Sequence, residues 1–135
     1  MRVAIRSIPQ ADGERSLTRW ISDRDAVLTD PGELALAVRF GLQLLREKAP
    51  GKSVEVRVPP FGAVQVIEGP QHTRGTPPAV VEMSAQVWLD LITGLGDFSS
   101  LLAGGAIHAS GLRTDLQGFL PLWPLSSSRG DGEKR

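Results

Sequence analysis

The chain has no cysteine in its 135 residues. That excludes a disulfide framework, a thiolate nucleophile and a thiolate metal site together, while saying little about compartment. Histidine is almost missing too, with His72 and His108 alone. Two isolated imidazoles without a thiolate do not make the clustered donor set a metal needs, so no metal or other cofactor is expected. There is no excess of one charge, because 15 basic residues face 15 acidic ones. A chain with that balance lacks the electropositive footprint of a nucleic-acid binder, and its charges read as solvated surface. No apolar run approaches the roughly 18 residues of a membrane span, and the N-terminal stretch carries no apolar signal core. The expectation is a cytoplasmic protein with no stable membrane insertion and no nucleic-acid partner. At this length folding buries about 68% of the unfolded chain's surface, which supports one core rather than two.

What the chain does have is concentrated between Ser84 and Leu120. Ser84 can cap a helix with its hydroxyl, after which Val87, Trp88, Leu91, Ile92 and Leu95 recur at spacings of three and four. Gly94 and Gly96 end that run. Asp97 opens a second helix with Phe98, Leu101 and Leu102 on its face, and Gly104 and Gly105 close it. Ala106 to Ser110 reads as a strand, and beyond Gly111 the residues Leu112, Leu116, Phe119 and Leu120 return to helical spacing until Pro121.

Upstream, Asp30-Pro31-Gly32-Glu33 is a helix start, with Asp30 as the cap, Pro31 in the first turn and Glu33 placed to bond back to it. The helix carries one apolar stripe of Leu34, Val38, Leu42 and Leu45 and a second of Leu36, Phe40 and Leu44, while Arg39, Gln43 and Arg46 share its polar side. Pro50-Gly51 ends it. Lys52 to Val58 alternates as a half-buried strand does, Pro59 to Gly62 is a turn, Ala63 to Glu68 returns as the second strand of a hairpin, and Ala79 to Met83 is a short third strand. Between them Gly69 to Pro78 is too rich in Gly and Pro for regular structure. Residues 1–29 form an N-terminal arm in which Val3, Ile5 and Ile8 alternate like a strand while Leu17, Trp20 and Ile21 suggest a helical turn. The domain proper is expected over 30–125, and 126–135, made of Ser, Gly and charge, is expected to be a disordered tail. The Arg129-Gly130-Asp131 tripeptide in that tail is read as chance.

This order of elements resembles the sterol carrier protein family, with its type-2-like lipid-binding fold. Two blocks carry the resemblance. VWLDLITGLGDFSSLLAGGAIHASG, Val87 to Gly111, has the family's helix ending in Gly94, a second helix, and a strand bounded by Gly105 and Gly111. The more specific block is SVEVRVPPFGAVQVIEGPQHTRGTPPAVVE, Ser53 to Glu82, which is similar to small stand-alone bacterial members of actinobacterial type. Coverage is about Leu34 to Leu122. Ala106 stands where a basic residue commonly follows the strand-opening glycine, and the terminal Glu133-Lys134-Arg135 is not the peroxisomal address of eukaryotic members.

The resemblance implies an α+β fold, a single-layer, mostly antiparallel sheet of about five strands with helices on one face and an apolar tunnel between the layers. The fifth strand would come from the N-terminus or from Leu120 to Leu125. It also implies non-enzymatic carriage of a small hydrophobic ligand, such as a fatty acid, fatty acyl-CoA, phospholipid or sterol-like lipid. Phe40, Leu44, Val56, Val66, Trp88, Leu91, Phe98, Leu101, Leu102, Ile107, Leu116 and Phe119 would line the tunnel, though on the residues alone the same set could fill a core. His72 and Arg74, in the one loop where polar groups cluster, could meet a head group or a protein partner. The enzyme alternative, with His72 as base and Arg74 as anion clamp, lacks a nucleophile or orienting carboxylate at motif spacing. A further alternative is an accessory or protein-interaction domain with a packed interior, related to domains fused to mycothiol-dependent isomerase-like enzymes. An enclosed, empty tunnel of about 400 Å³ would cost up to roughly 10 kcal/mol, so the free protein is expected to be partly collapsed or to copurify with lipid.

Overall fold

The computed structural model of the chain describes residues 7–69, 79–112 and 114–124. Helices α1 (Gln10–Ser22) and α2 (Arg24–Leu28) come first, followed by the long α3 (Pro31–Lys48). Strands β1 (Val54–Val58), β2 (Gly62–Val66) and β3 (Ala79–Met83) precede α4 (Ala85–Ile92) and α5 (Phe98–Ala103), and β4 (Ile107–Ser110) is the last strand. The fold is α+β with one open mixed sheet in the order β2-β1-β3-β4.

The helix starts are made by side chains the sequence marks for the purpose. Asp30 Oδ1 accepts from the Glu33 backbone N–H at 3.2 Å, Ser84 Oγ from Val87 N–H at 3.2 Å, and Asp97 Oδ2 from Ser100 N–H at 3.0 Å. Each satisfies one of the amide donors a helix leaves orphaned at its first turn. The reciprocal half of the capping box is replaced by a tertiary contact. Glu33 turns to α1, where it accepts from Ser16 Oγ at 2.8 Å and lies 3.7 Å from Arg19 Nη1.

The sheet has one covered face. Val54, Val56 and Val58 of β1 and Val81 of β3 are buried, whereas Arg57 points to the open side, paired with Glu55 and close to Glu82. The β1–β2 and β3–β4 pairings are antiparallel and the central β1–β3 pairing is parallel. Four strands form among the described residues, roughly the number expected. Residues 10–22 and 24–28 are helical, and the segment at 122–123 hangs from α4, with the N–H groups of Leu122 and Trp123 both donating to Ile92 O at 2.9 Å. A chain whose amides bind a helix end cannot extend a sheet edge.

Two local expectations change. Leu112 is exposed and the helix expected beyond Gly111 shrinks to a single 3-10 turn, Gln117–Phe119, because Asp115 takes the Gln117 N–H at 2.9 Å and Pro121 allows no continuation. Leu95 lies past the end of α4 and is exposed rather than on its buried face.

The N-terminal helices dock on α3. Leu17 and Trp20 of α1 are fully buried, and Gly13 lies so close under Phe40 that any Cβ there would overlap the ring. Asp90 on α4 ties this layer down, accepting from the Trp20 indole N–H at 3.1 Å and from Arg24 Nη2 at 2.6 Å, with the Arg24 guanidinium 4.6 Å above the Trp20 ring. The Val3–Ile5 alternation and the 126–135 tail lie outside the described residues.

Candidate functional site

The twelve apolar residues singled out in the sequence fall into three environments. Phe40, Leu44, Val56, Val66, Trp88, Leu91, Phe98, Ile107 and Leu116 belong to one buried cluster between the helices and the sheet. Leu101 and Phe119 pack on its margin half-buried, and Leu102 is exposed. The interior is filled where α3 meets α4. Trp88 is fully buried and donates its indole N–H to the Val38 carbonyl at 3.1 Å. A Cβ on Gly41 would come within 2.5 Å of Ile92 Cδ1 and 2.7 Å of Trp88 Nε1, so the two helices are in close contact at that point. His72 and Arg74 lie outside the described residues.

The larger cavity is elsewhere. A groove of about 590 Å³ runs between the outer side of α3 and strand β2, open along one side to solvent. That volume is in the range of roughly 300–1,000 Å³ typical of small-molecule sites. Its helix wall is Gly32, Ala35, Leu36, Arg39, Leu42, Gln43 and Arg46, its strand wall Gly62, Ala63 and Val64, and Ser7 and Ile8 close one part of the rim. The helical spacings of three and four put that whole wall on one side of α3. Gly62 lets β2 come close to α3 here, since a Cβ on it would lie 3.2 Å from Leu42 Cδ1.

Polar groups here are few and well placed. Gln43 clamps the backbone of Ile8 from both sides, its Oε1 accepting from the Ile8 N–H at 2.9 Å and its Nε2 donating to the Ile8 carbonyl at 3.1 Å. Arg39 Nε donates to the Phe61 carbonyl in the β1–β2 turn at 2.9 Å. Both arginines are exposed at the rim, and no carboxylate lines the groove among the described residues. The apolar floor and cationic edge suit an amphiphile. Arg39, Gln43 and Arg46 share the polar side of the helix in the sequence, and the structure brings that side against β2. The usable signal was their position beside Leu36 and Leu42 on the helix.

A second, smaller pocket of about 310 Å³ lies at the C-terminal end of α4, lined by Leu91, Phe98, Leu120 and neighbouring residues with Asp97 and Gln117. Asp97 is held below its ordinary value of 3.8 by the Ser100 backbone N–H first, then by the Gln117 amide and the Ser100 hydroxyl. Its role is thereby accounted for as a cap. No group of His, Asp and Glu suited to holding a metal occurs among the described residues, and no helix there is long and apolar enough to cross a membrane.

The structure is an α+β fold with a partly apolar groove beside α3. A family model described as "Bacterial SCP ortholog" matches residues 30–122, and the chain belongs to that sterol carrier protein-like family. The match begins at the Asp30 cap and ends at Leu122, so it takes in α3, the whole sheet, α4 and α5. No curated protein matches the chain.

Proposed function

We propose that the protein is a non-enzymatic binder of a single-chain hydrophobic ligand, an acyl chain or lipid of similar girth, and that the ligand lies in the α3–β2 groove rather than between α3 and α4. The observation that carries this reading is the groove itself, about 590 Å³, largely apolar and open, on a domain of sterol carrier type. An open site also removes an energetic difficulty. A sealed empty tunnel costs stability in proportion to its volume, whereas a groove already in contact with water imposes no comparable penalty. The affinity is attainable, since a methylene gives about 0.8 kcal/mol when fully buried and micromolar binding needs about 8 kcal/mol. Ten or more methylenes lying in the groove reach that figure before immobilisation costs, and a half-covered chain needs correspondingly more.

The test replaces Ala35, a half-buried groove residue on α3, with tryptophan to fill the site. Native mass spectrometry of the purified protein, with organic extraction of any adduct, is compared between wild type and Ala35→Trp. Loss of lipid with an unchanged melting temperature supports the groove. Retention of lipid by a folded Ala35→Trp protein overturns the location, and a wild type that carries no lipid and binds none overturns the carrier reading.

A second reading has its own observation in its favour. α3 and α4 are in close contact at Gly41, as a packed interior in an accessory domain that works through its surface would have them. That reading expects no lipid adduct and a fold indifferent to Ala35→Trp.

A further inference from the structure

The α3–β2 groove is electrostatically one-sided. Arg39 and Arg46 both line it, seven residues apart on the same side of α3 and hence about 10 Å apart along the helix axis. No carboxylate shares the lining among the described residues. The two arginines differ in how they are held. Arg39 donates Nε to the Phe61 carbonyl at 2.9 Å, which fixes the guanidinium against the β1–β2 turn. Its two terminal nitrogens have no hydrogen-bond or ion-pair partner among the described residues, and they are the pair that meets a carboxylate in the forked geometry. No hydrogen bond or ion pair is present for Arg46 among the described residues, so its side chain is not oriented in advance. A long, unanchored side chain loses rotamer freedom when it engages a ligand, and an anchored one has already done so.

From this asymmetry we infer that the groove takes an acyl anion, and that Arg39 is the residue that recognises its carboxylate while the chain lies along Leu36, Leu42 and Val64. The inference rests on the groove being the lipid site. Arg46 contributes only the general positive field at the far end. An alcohol of the same chain length retains the apolar contacts but leaves the guanidinium without its counter-charge.

The experiment titrates wild type, Arg39→Gln and Arg46→Gln with dodecanoate and with dodecanol at neutral pH, by calorimetry. Wild type is expected to favour the acid by roughly tenfold, the scale of one charge-assisted hydrogen-bonded pair. Arg39→Gln should bring the two probes within about twofold by weakening the acid alone, and Arg46→Gln should keep most of the preference. Arg39→Lys, which keeps the charge and loses the fork, should fall between and serves if the glutamine variant does not fold. Equal wild-type affinity for the two probes overturns the role of Arg39 and leaves the lipid site standing. A preference that survives Arg39→Gln and disappears in Arg46→Gln overturns it as well. Failure of both probes to bind wild type removes the groove reading and this inference with it.

Discussion

At the residue scale, single polar side chains do the positioning. Asp90 gathers Trp20 and Arg24 from the N-terminal layer, and Glu33 exchanges its expected role in a capping box for bonds to α1. Spacing alone places Glu33 well for the local bond, because a sequence pattern sees only neighbours four residues away, and the competing partner is 17 residues distant. Asp97 offers a pH signature. Its carboxyl is held below 3.8 in the folded chain by the Ser100 N–H, the Gln117 amide and the Ser100 hydroxyl. The folded state therefore binds that proton less readily than the unfolded one. The stabilisation is complete above the unfolded value and is lost as pH falls through the folded one. Asparagine caps a helix nearly as well as aspartate. Asp97→Asn should consequently lower the melting temperature slightly at neutral pH, and the gap to wild type should close below about pH 4. A gap independent of pH, in melts run across that window, would show that the charge contributes nothing.

At the scale of elements, the closeness of α1 to α3 depends on a missing side chain. Gly13 lies against the Phe40 ring, with no room for a methyl group. Gly13→Ala should cost about 1–3 kcal/mol by overpacking, despite alanine's better helix propensity, and urea unfolding would measure it. A neutral or stabilising result would mean that α1 can shift away from α3 without loss. The elements of the domain are largely legible in the sequence. Asp30, Ser84 and Asp97 mark helix starts, and Val54, Val56 and Val58 alternate on a covered face. Such signals act over a few residues, and local geometry is enough to produce them. The register of a docked N-terminal layer is different. Leu17, Trp20 and Ile21 give only a turn of helical spacing, and Trp20 finds its partner on α4, 70 residues away.

At the scale of the whole molecule, ligand binding and stability are one measurement. A ligand present at 100 times its Kd stabilises the folded state by about 2.7 kcal/mol. For a domain of this size that is roughly a 10 °C rise in melting temperature. A shift of that order with a long-chain acid, absent with a short soluble one, is the expected outcome of a thermal-shift panel. A flat response across long-chain lipids would contradict the carrier reading. The cytoplasmic expectation, the His72 and Arg74 contact and the tail at 126–135 bear on none of these tests.

Composition and pattern by themselves determined the class of the protein. The capped helices and the alternating hairpin mark an α+β fold, and the blocks Ser53 to Glu82 and Val87 to Gly111 resemble the sterol carrier proteins. Only the tertiary structure decided which apolar residues are core and which border open space. Hydrophobic spacing marks a side chain as leaving bulk water but carries no information on what it meets, since a ligand and a packed neighbour offer the same apolar environment. Phe40 met α1, and Trp88 met α3. Leu36, half-buried beside two arginines, was left bordering a groove.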